Sequence, residues 1–238
     1  KHFEGNSEYA IRSIEEKLEF SSLIEQSDSI MIAYPIYGSD IPKIMCDFLI
    51  LHQESFKNKP IMVLVTQMMF SGDGGALAYR ILKKQNVKLI ATMHVNFPHN
   101  VPDFPIFPRT REDKSEKIIA KAEKKIQYYI DRIKQSKKVK TGRRFYSWFL
   151  GYFTQRLYFK LMYKSLMKMV KIDHNVCTSC GICVRDCPVG NLEMKDGLVL
   201  THGNCTLCYR CLNNCPVKAI KIFGGKYPLY QYVNKKRV

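Results

Sequence analysis

Nine cysteines are the residues of this chain best suited to chemistry, and eight of them form two runs of identical spacing. Cys177, Cys180, Cys183 and Cys187 are followed by Pro188, and Cys205, Cys208, Cys211 and Cys215 by Pro216. Each run reads C-x2-C-x2-C-x3-C-P, which matches a known ligation pattern of [4Fe–4S] cubanes. Three thiolates at this spacing on a tight loop can converge on three irons of one cubane. In the matched pattern the fourth cysteine reaches the other cubane. Cluster one is therefore expected to take Cys177, Cys180, Cys183 and Cys215, and cluster two Cys205, Cys208, Cys211 and Cys187. Each fourth cysteine is expected where a short helix begins, with the following proline fixing φ in its first turn.

Zinc and disulfides are the competing uses of cysteine. Zinc ribbons use two C-x2-C pairs rather than triplets with a fourth Cys-Pro. Disulfide frameworks belong to small secreted scaffolds, and a 238-residue chain that is 46% apolar is not one. The ninth cysteine, Cys46, reads as a buried helix thiol.

The elements that must position the sulfurs are legible around them. Leu192 to Lys195 and Leu198 to Thr201 flank Asp196-Gly197, a strong hairpin signal. Val170 to Asp173 and Ala219 to Phe223 read as outer strands. Residues 170–223 resemble the bacterial-type ferredoxins that hold two [4Fe–4S] clusters. The resemblance implies a small α+β domain that transfers single electrons. It also implies low-potential donor and acceptor proteins as partners. Ile182, Val184, Val189, Leu207, Val217 and Ile220 are expected to shield the clusters.

Upstream, residues 28–111 alternate apolar runs with helical periods, as in an α/β layer. Ser29 to Ala33, Pro60 to Val65 and Val87 to Val95 read as strands. Pro42 opens a helix, Ala76 to Gln85 forms a second, and Thr110 to Asp113 caps a long third. That third helix places Ile119, Ala122, Ile126, Tyr129 and Ile133 on one face. In parallel sheets, ligands bind outside the carboxyl ends of the strands, where the loops at residues 34–40, 66–75 and 96–98 lie.

These loops resemble those that hold flavin in flavodoxins. The resemblance implies a doubly wound parallel sheet and FMN contacts from Tyr34, Pro35, Tyr37, Gly38, Thr66, Gly72 and Asn96. With the cysteine block, the chain resembles the flavodoxin–ferredoxin fusion proteins of anaerobic bacteria and archaea. One departure concerns the FMN phosphate loop, of which only the end has a counterpart in Gly5-Asn6-Ser7. About twenty residues before the strand at Ser29 are too few for a helix, a second strand and their connections. The first strand and phosphate loop are therefore expected to precede Lys1, with residues 8–14 as the second strand. Two other readings stay open: a degenerate domain that binds FMN poorly, and a flavodoxin-like scaffold without flavin.

The expected boundaries are residues 1–138 for the flavodoxin-like domain, 139–169 for a basic aromatic linker, 170–223 for the ferredoxin domain and 224–238 for a tail. Residues 132–171 carry twelve Lys or Arg and no Asp or Glu, within a chain of formal charge +17. Residues 172–222 hold five basic and four acidic side chains and become acidic once clusters are bound, so the positive charge lies elsewhere. Arg156, Lys160, Lys164 and Lys168 recur every four residues and should share one polar helix face. The bland expectation is a bridging helix pair with solvated lysines. Sharper ones are a peripheral membrane contact through 143–170 and a dock for an acidic redox partner.

No nucleic-acid-binding fold accompanies the basic segment. No catalytic triad, Cys-His pair or paired carboxylates are visible. The biochemical classes in play are an electron carrier, a flavin-dependent reductase with clusters as its wire, and a flavin-free docking subunit of a larger oxidoreductase. Unbridged thiolates imply a reducing, oxygen-poor cytoplasm. His174 and His202 read as solvent-facing loop residues, and His94 as a satisfied core histidine.

Overall fold

The computed structural model describes residues 9–102, 110–222, 228 and 230–232. The chain divides into two compact units, Lys1–Phe97 with Asp113–Tyr158, and Pro98–Glu112 with Phe159–Val238. The basic aromatic segment is shared between the units because its first part packs into the α/β unit.

In the first unit, α1 (Phe20–Gln26) leads into β1 (Ile30–Pro35), α2 (Lys43–Leu51), β2 (Pro60–Gln67), α3 (Leu77–Leu82) and β3 (Lys88–Asn96). Helix α4 (Glu112–Lys134), β4 (Val139–Lys140) and α5 (Phe145–Leu150) follow. The four strands form one parallel sheet in the order β1-β2-β3-β4. Alternation along β2 explains why both faces need cover. Ile61, Val63 and Val65 pack with α1, α2 and α3 on one side. Met62 and Leu64, with Ala91, Met93 and Val95 of β3, pack with Ala122 and Tyr129 of α4 on the other.

This is an α/β domain with a parallel sheet, as the apolar runs indicated. Residues 9–14 form no strand, contrary to expectation, and the helix α1 occupies the region just before β1. Gly5-Asn6-Ser7 lies outside the described residues. Cys46 is half-buried on α2, where burial raises its thiol pKa.

His94 on β3 is a core histidine with both ring nitrogens engaged. The Gly75 N–H donates to Nε2 at 3.2 Å, which leaves Nδ1 to carry the proton toward Ser71 Oγ at 2.8 Å. Burial holds its pKa down to about 4, and the charge of Lys125 adds to the effect. Below the ordinary value of 6.5 the unfolded chain takes up a proton that the folded one refuses. Stability of this unit should therefore fall as pH drops from 6.5 to about 4, by about 3 kcal/mol. The fluorescence of Trp148, the sole tryptophan, follows this unit's unfolding. His94→Gln should flatten the acid slope relative to the unaltered chain.

In the second unit, α6 (Leu157–Leu166) runs into β5 (Lys171–Ile172), α7 (Ile182–Arg185), β6 (Leu192–Lys195), β7 (Leu198–Thr201), α8 (Arg210–Asn214) and β8 (Ile220–Lys221). Strands β5 and β8 pair antiparallel, as expected of the outer strands, and a Lys221–Asp173 ion pair at 3.4 Å supports them. Their ladder covers two residues on each side, and Phe223 lies outside the described residues. Strands β6 and β7 form the hairpin, turned by Asp196 and Gly197 at φ of 50° and 76°.

Candidate iron–sulfur centre

The second unit repeats itself every 28 residues, from Cys177 to Cys205 and from Cys187 to Cys215. The backbone repeats with the sequence. Ser179, Gly181 and Gly190 take positive φ in the first half, and Leu207, Tyr209 and Lys218 take it at the matching positions of the second. These left-handed residues fold each triplet into a tight loop with its N–H groups turned inward. The Ser179 N–H points to Cys177 Sγ at 3.4 Å and the Leu207 N–H to Cys205 Sγ at 3.2 Å. Asn191 N–H lies 3.1 Å from Cys187 Sγ, and Ala219 N–H lies 3.3 Å from Cys215 Sγ. Such donors favour a charged sulfur.

The sulfurs sort into two groups. Burial pushes the Cys183 thiol up to about 11, and Cys215, Cys177 and Cys180 add to the shift as close neighbours. One cavity is lined by these same four cysteines with Ile172, Val199 and Val217. In the other group, burial pushes Cys205 up to about 11 and Cys211 well above its ordinary value. Cys187 and Cys208 are the neighbours that add to both. The fourth cysteine of each run thus stands with the triplet of the other run. Loaded sulfurs must shed these protons, so uptake of iron releases protons and strengthens as pH rises.

No three His, Cys, Asp or Glu side chains among the described residues gather closely enough to hold a single metal ion. Zinc, at about 2.3 Å from each sulfur, would draw four sulfurs into mutual contact. A cubane binds each thiolate through a separate iron and spreads the ligands, so the all-thiolate donor set fits it. The helices α7 and α8 end before Cys187 and Cys215 rather than beginning there, and the two prolines open turns. The chain needs to change direction at that point so that the fourth sulfur leaves its own triplet.

The two halves differ in cover. Cys180 is exposed, as is Val176 beside it. On the other half, Asn100 donates to the Cys208 carbonyl at 3.2 Å, and Gln231 donates to the carbonyls of Leu212 and Cys215 at 2.8 and 2.6 Å. The described part of the tail therefore folds back onto this unit. Val189 is less central than expected, whereas Val199 of the hairpin closes the first cavity. His174 is exposed, and His202 pairs with Glu193 at 3.0 Å on the surface.

The family model of the 4Fe–4S dicluster domain matches residues 176–219. Comparison with curated proteins and with solved structures gave no match. Residues 176–219 are therefore a ferredoxin-type iron–sulfur domain, which supports a role in electron transfer.

The residues expected to contact FMN lie in varied surroundings within the α/β unit. Tyr34 is in the core of the α/β unit, and its hydroxyl donates to the Gly74 carbonyl at 2.8 Å. Burial pushes that phenol above the range of ordinary tyrosines. Tyr37 and Asp40 pair through their backbones around Gly38, and Pro35 is exposed. Thr66 ends the pairing of β1 with β2 opposite Pro35, and Asn96 donates to the Met68 carbonyl at 3.0 Å. Gly72, at φ +55°, abuts Gly151 so closely that a Cβ would lie 2.7 Å from the Gly151 Cα.

Gly151 belongs to a π-helical turn, Gly151–Arg156, that continues α5. From it Arg156, only 3% exposed, reaches the Ser39 carbonyl at 2.6 Å and Asp73 at 2.6 Å. Arg80 pairs with the same carboxylate. Burial alone would raise the Asp73 pKa, but hydrogen bonds from Arg156 and Arg80 hold it below the ordinary carboxylate range. Ser39 also donates to Gln155 at 2.8 Å. The chain's own helix thus fills the space between the loops after β1 and β2. Asp73 is the sole carboxylate of the Gly-rich loop, which was the available signal for this pairing.

Arg156→Ala strands a buried carboxylate beside one remaining partner. We expect the Trp148-monitored unfolding of the loaded chain to lose about 3–5 kcal/mol. Lys160→Ala, at an exposed position, should change it little.

Proposed function

We propose that the chain is a flavin-free electron-transfer subunit that carries two [4Fe–4S] clusters and docks to low-potential redox proteins. The observation that carries this reading is the 28-residue repeat of loop conformation, N–H to sulfur contacts and exchanged fourth cysteines. Cys177, Cys180, Cys183 and Cys215 would hold one cubane, and Cys205, Cys208, Cys211 and Cys187 the other. Bound cubanes supply one-electron redox chemistry. The chain's own residues supply oriented N–H donors and an apolar shell of Ile172, Val199, Val217 and Ile220. The exposed edge at Val176 and Cys180 suits it as the place where a partner protein exchanges electrons.

Flavin has no part in this reading. An isoalloxazine laid between the loops at Tyr37 and Gly72 would have to displace Arg156 from Asp73 and Gly151 from Gly72. The α/β unit serves as a parallel-sheet scaffold, with the space between its strand-end loops occupied by protein. A reductase reading would require that occupied space for a substrate.

Anaerobic purification should give about eight irons per chain and no acid-released flavin. One flavin per chain would restore the flavin-linked reading. Paired substitutions test the exchange of fourth ligands. Cys180→Ala with Cys215→Ala should remove one cluster and leave about four irons, while Cys180→Ala with Cys187→Ala should damage both. The reverse outcome would assign each run to a single cluster. Val176→Asp should slow electron exchange with a redox protein at unchanged iron content.

A further inference from the structure

The helix that starts at Phe145 is built inside out. Its inner face against the α/β unit carries Ser147, Gly151, Gln155 and Arg156, small or polar residues. Its outer face carries Phe145, Tyr146, Trp148, Phe149, Leu150 and Phe153, all exposed, Phe145 to 75%. Their rings form a continuous ridge. Phe145 and Phe149 lie 6.2 Å apart, Phe149 and Phe153 4.8 Å, and Trp148 and Tyr152 6.0 Å.

The polarity is fixed by the inner anchors. On an uninterrupted α-helix, nine residues of travel would put Arg156 about 180° from Ser147, among the aromatic rings. The π turn at Gly151–Arg156 takes up the difference and returns Arg156 to the inner side. The ion pair with Asp73 and the Gly72–Gly151 contact then hold the helix in that rotation. Turning the rings inward would break both. Their exposure is a consequence of the packing and leaves a face that demands cover.

The charge around the ridge says what covers it. Arg143 and Arg144 precede it, and residues 132–144 hold seven basic and no acidic residues. Trp and Tyr among Phe and Leu suit the boundary between headgroups and acyl chains, where a ring's apolar body and polar edge are both satisfied. No described helix is long and apolar enough to cross a membrane, so this one would lie in the surface. We propose that the outer face of Phe145–Phe153 docks the chain onto an anionic lipid surface. The inference goes beyond the electron-transfer reading and does not depend on it.

The test uses the full, cluster-loaded chain and flotation with phosphatidylcholine vesicles, with or without phosphatidylserine. We expect capture by the phosphatidylserine vesicles, a blue shift of Trp148 emission on binding, and weak capture by phosphatidylcholine alone. Phe149→Ser with Phe153→Ser should weaken capture by about tenfold, with iron content and unfolding midpoint unchanged. Arg143→Glu with Arg144→Glu should weaken it as well. Equal capture of the double Phe variant would reduce the effect to net charge and overturn the proposal. So would an unshifted Trp148 spectrum, or absence of capture. A dimer in solution that the double Phe variant converts to monomer would assign the face to a second copy of the chain and overturn it too.

Discussion

Seven of the eight paired-run cysteines are buried or half-buried in the second unit, and Cys180 is the exposed one. Cys183, Cys205, Cys211 and Cys215 count among its core residues, beside Leu192, Val199, Leu212 and Ile220. A small unit buries a modest share of its apolar surface, and bound metal commonly adds to its folding free energy. The local features follow from that arrangement of sulfurs. Positive φ at Ser179, Gly181 and Gly190, and at Leu207, Tyr209 and Lys218, curls the backbone so that amides face sulfur. In the second half these turns carry Leu, Tyr and Lys in a conformation disfavoured for such residues. The loop geometry is therefore imposed by the ligand arrangement rather than by local preference.

A second constraint governs the α/β unit, namely the buried carboxylate of Asp73. A charge in that position requires cations, and it has two, Arg80 on α3 and Arg156 on the π turn. Satisfying it pins the helix across the strand-end loops at Ser39 and Gly72. The same contacts that stabilise the carboxylate occupy the place where a parallel sheet ordinarily receives a ligand. One set of contacts thus both satisfies the carboxylate and fixes the helix, and the exposed aromatic ridge is the other side of that helix.

Much of this was legible because it is local. The C-x2-C-x2-C-x3-C-P spacing and the Asp196-Gly197 turn act within a few residues, and the apolar runs announce β1 and β2 as strands, although β1, read as buried on both faces, buries only Ile32 and Tyr34 and leaves Met31 and Ala33 exposed. Ala122, Tyr129, Ile126 and Ile133 stand together on α4 because a regular helix keeps its period. The short helices near Cys187 and Cys215 were misplaced by a few residues, since a proline after cysteine signals a turn as readily as a helix start. Residues 8–14 read as a strand only by analogy, without alternation of their own to support it.

Arg156 shows where periodicity fails. Its spacing from Lys160, Lys164 and Lys168 places it on a solvated face under a constant 3.6-residue turn. A π turn has no dependable sequence signature, and it breaks that constancy at Gly151. The residue's partner, Asp73, lies 83 positions away, beyond any local pattern. Two non-local contacts, Arg156 to Asp73 and Gly151 to Gly72, decide which face of the helix meets the domain. The aromatic residues then point outward because the polar ones are already committed. A segment that hydropathy alone would bury is exposed, because a buried charge outweighs the gain from hiding rings that another surface can cover.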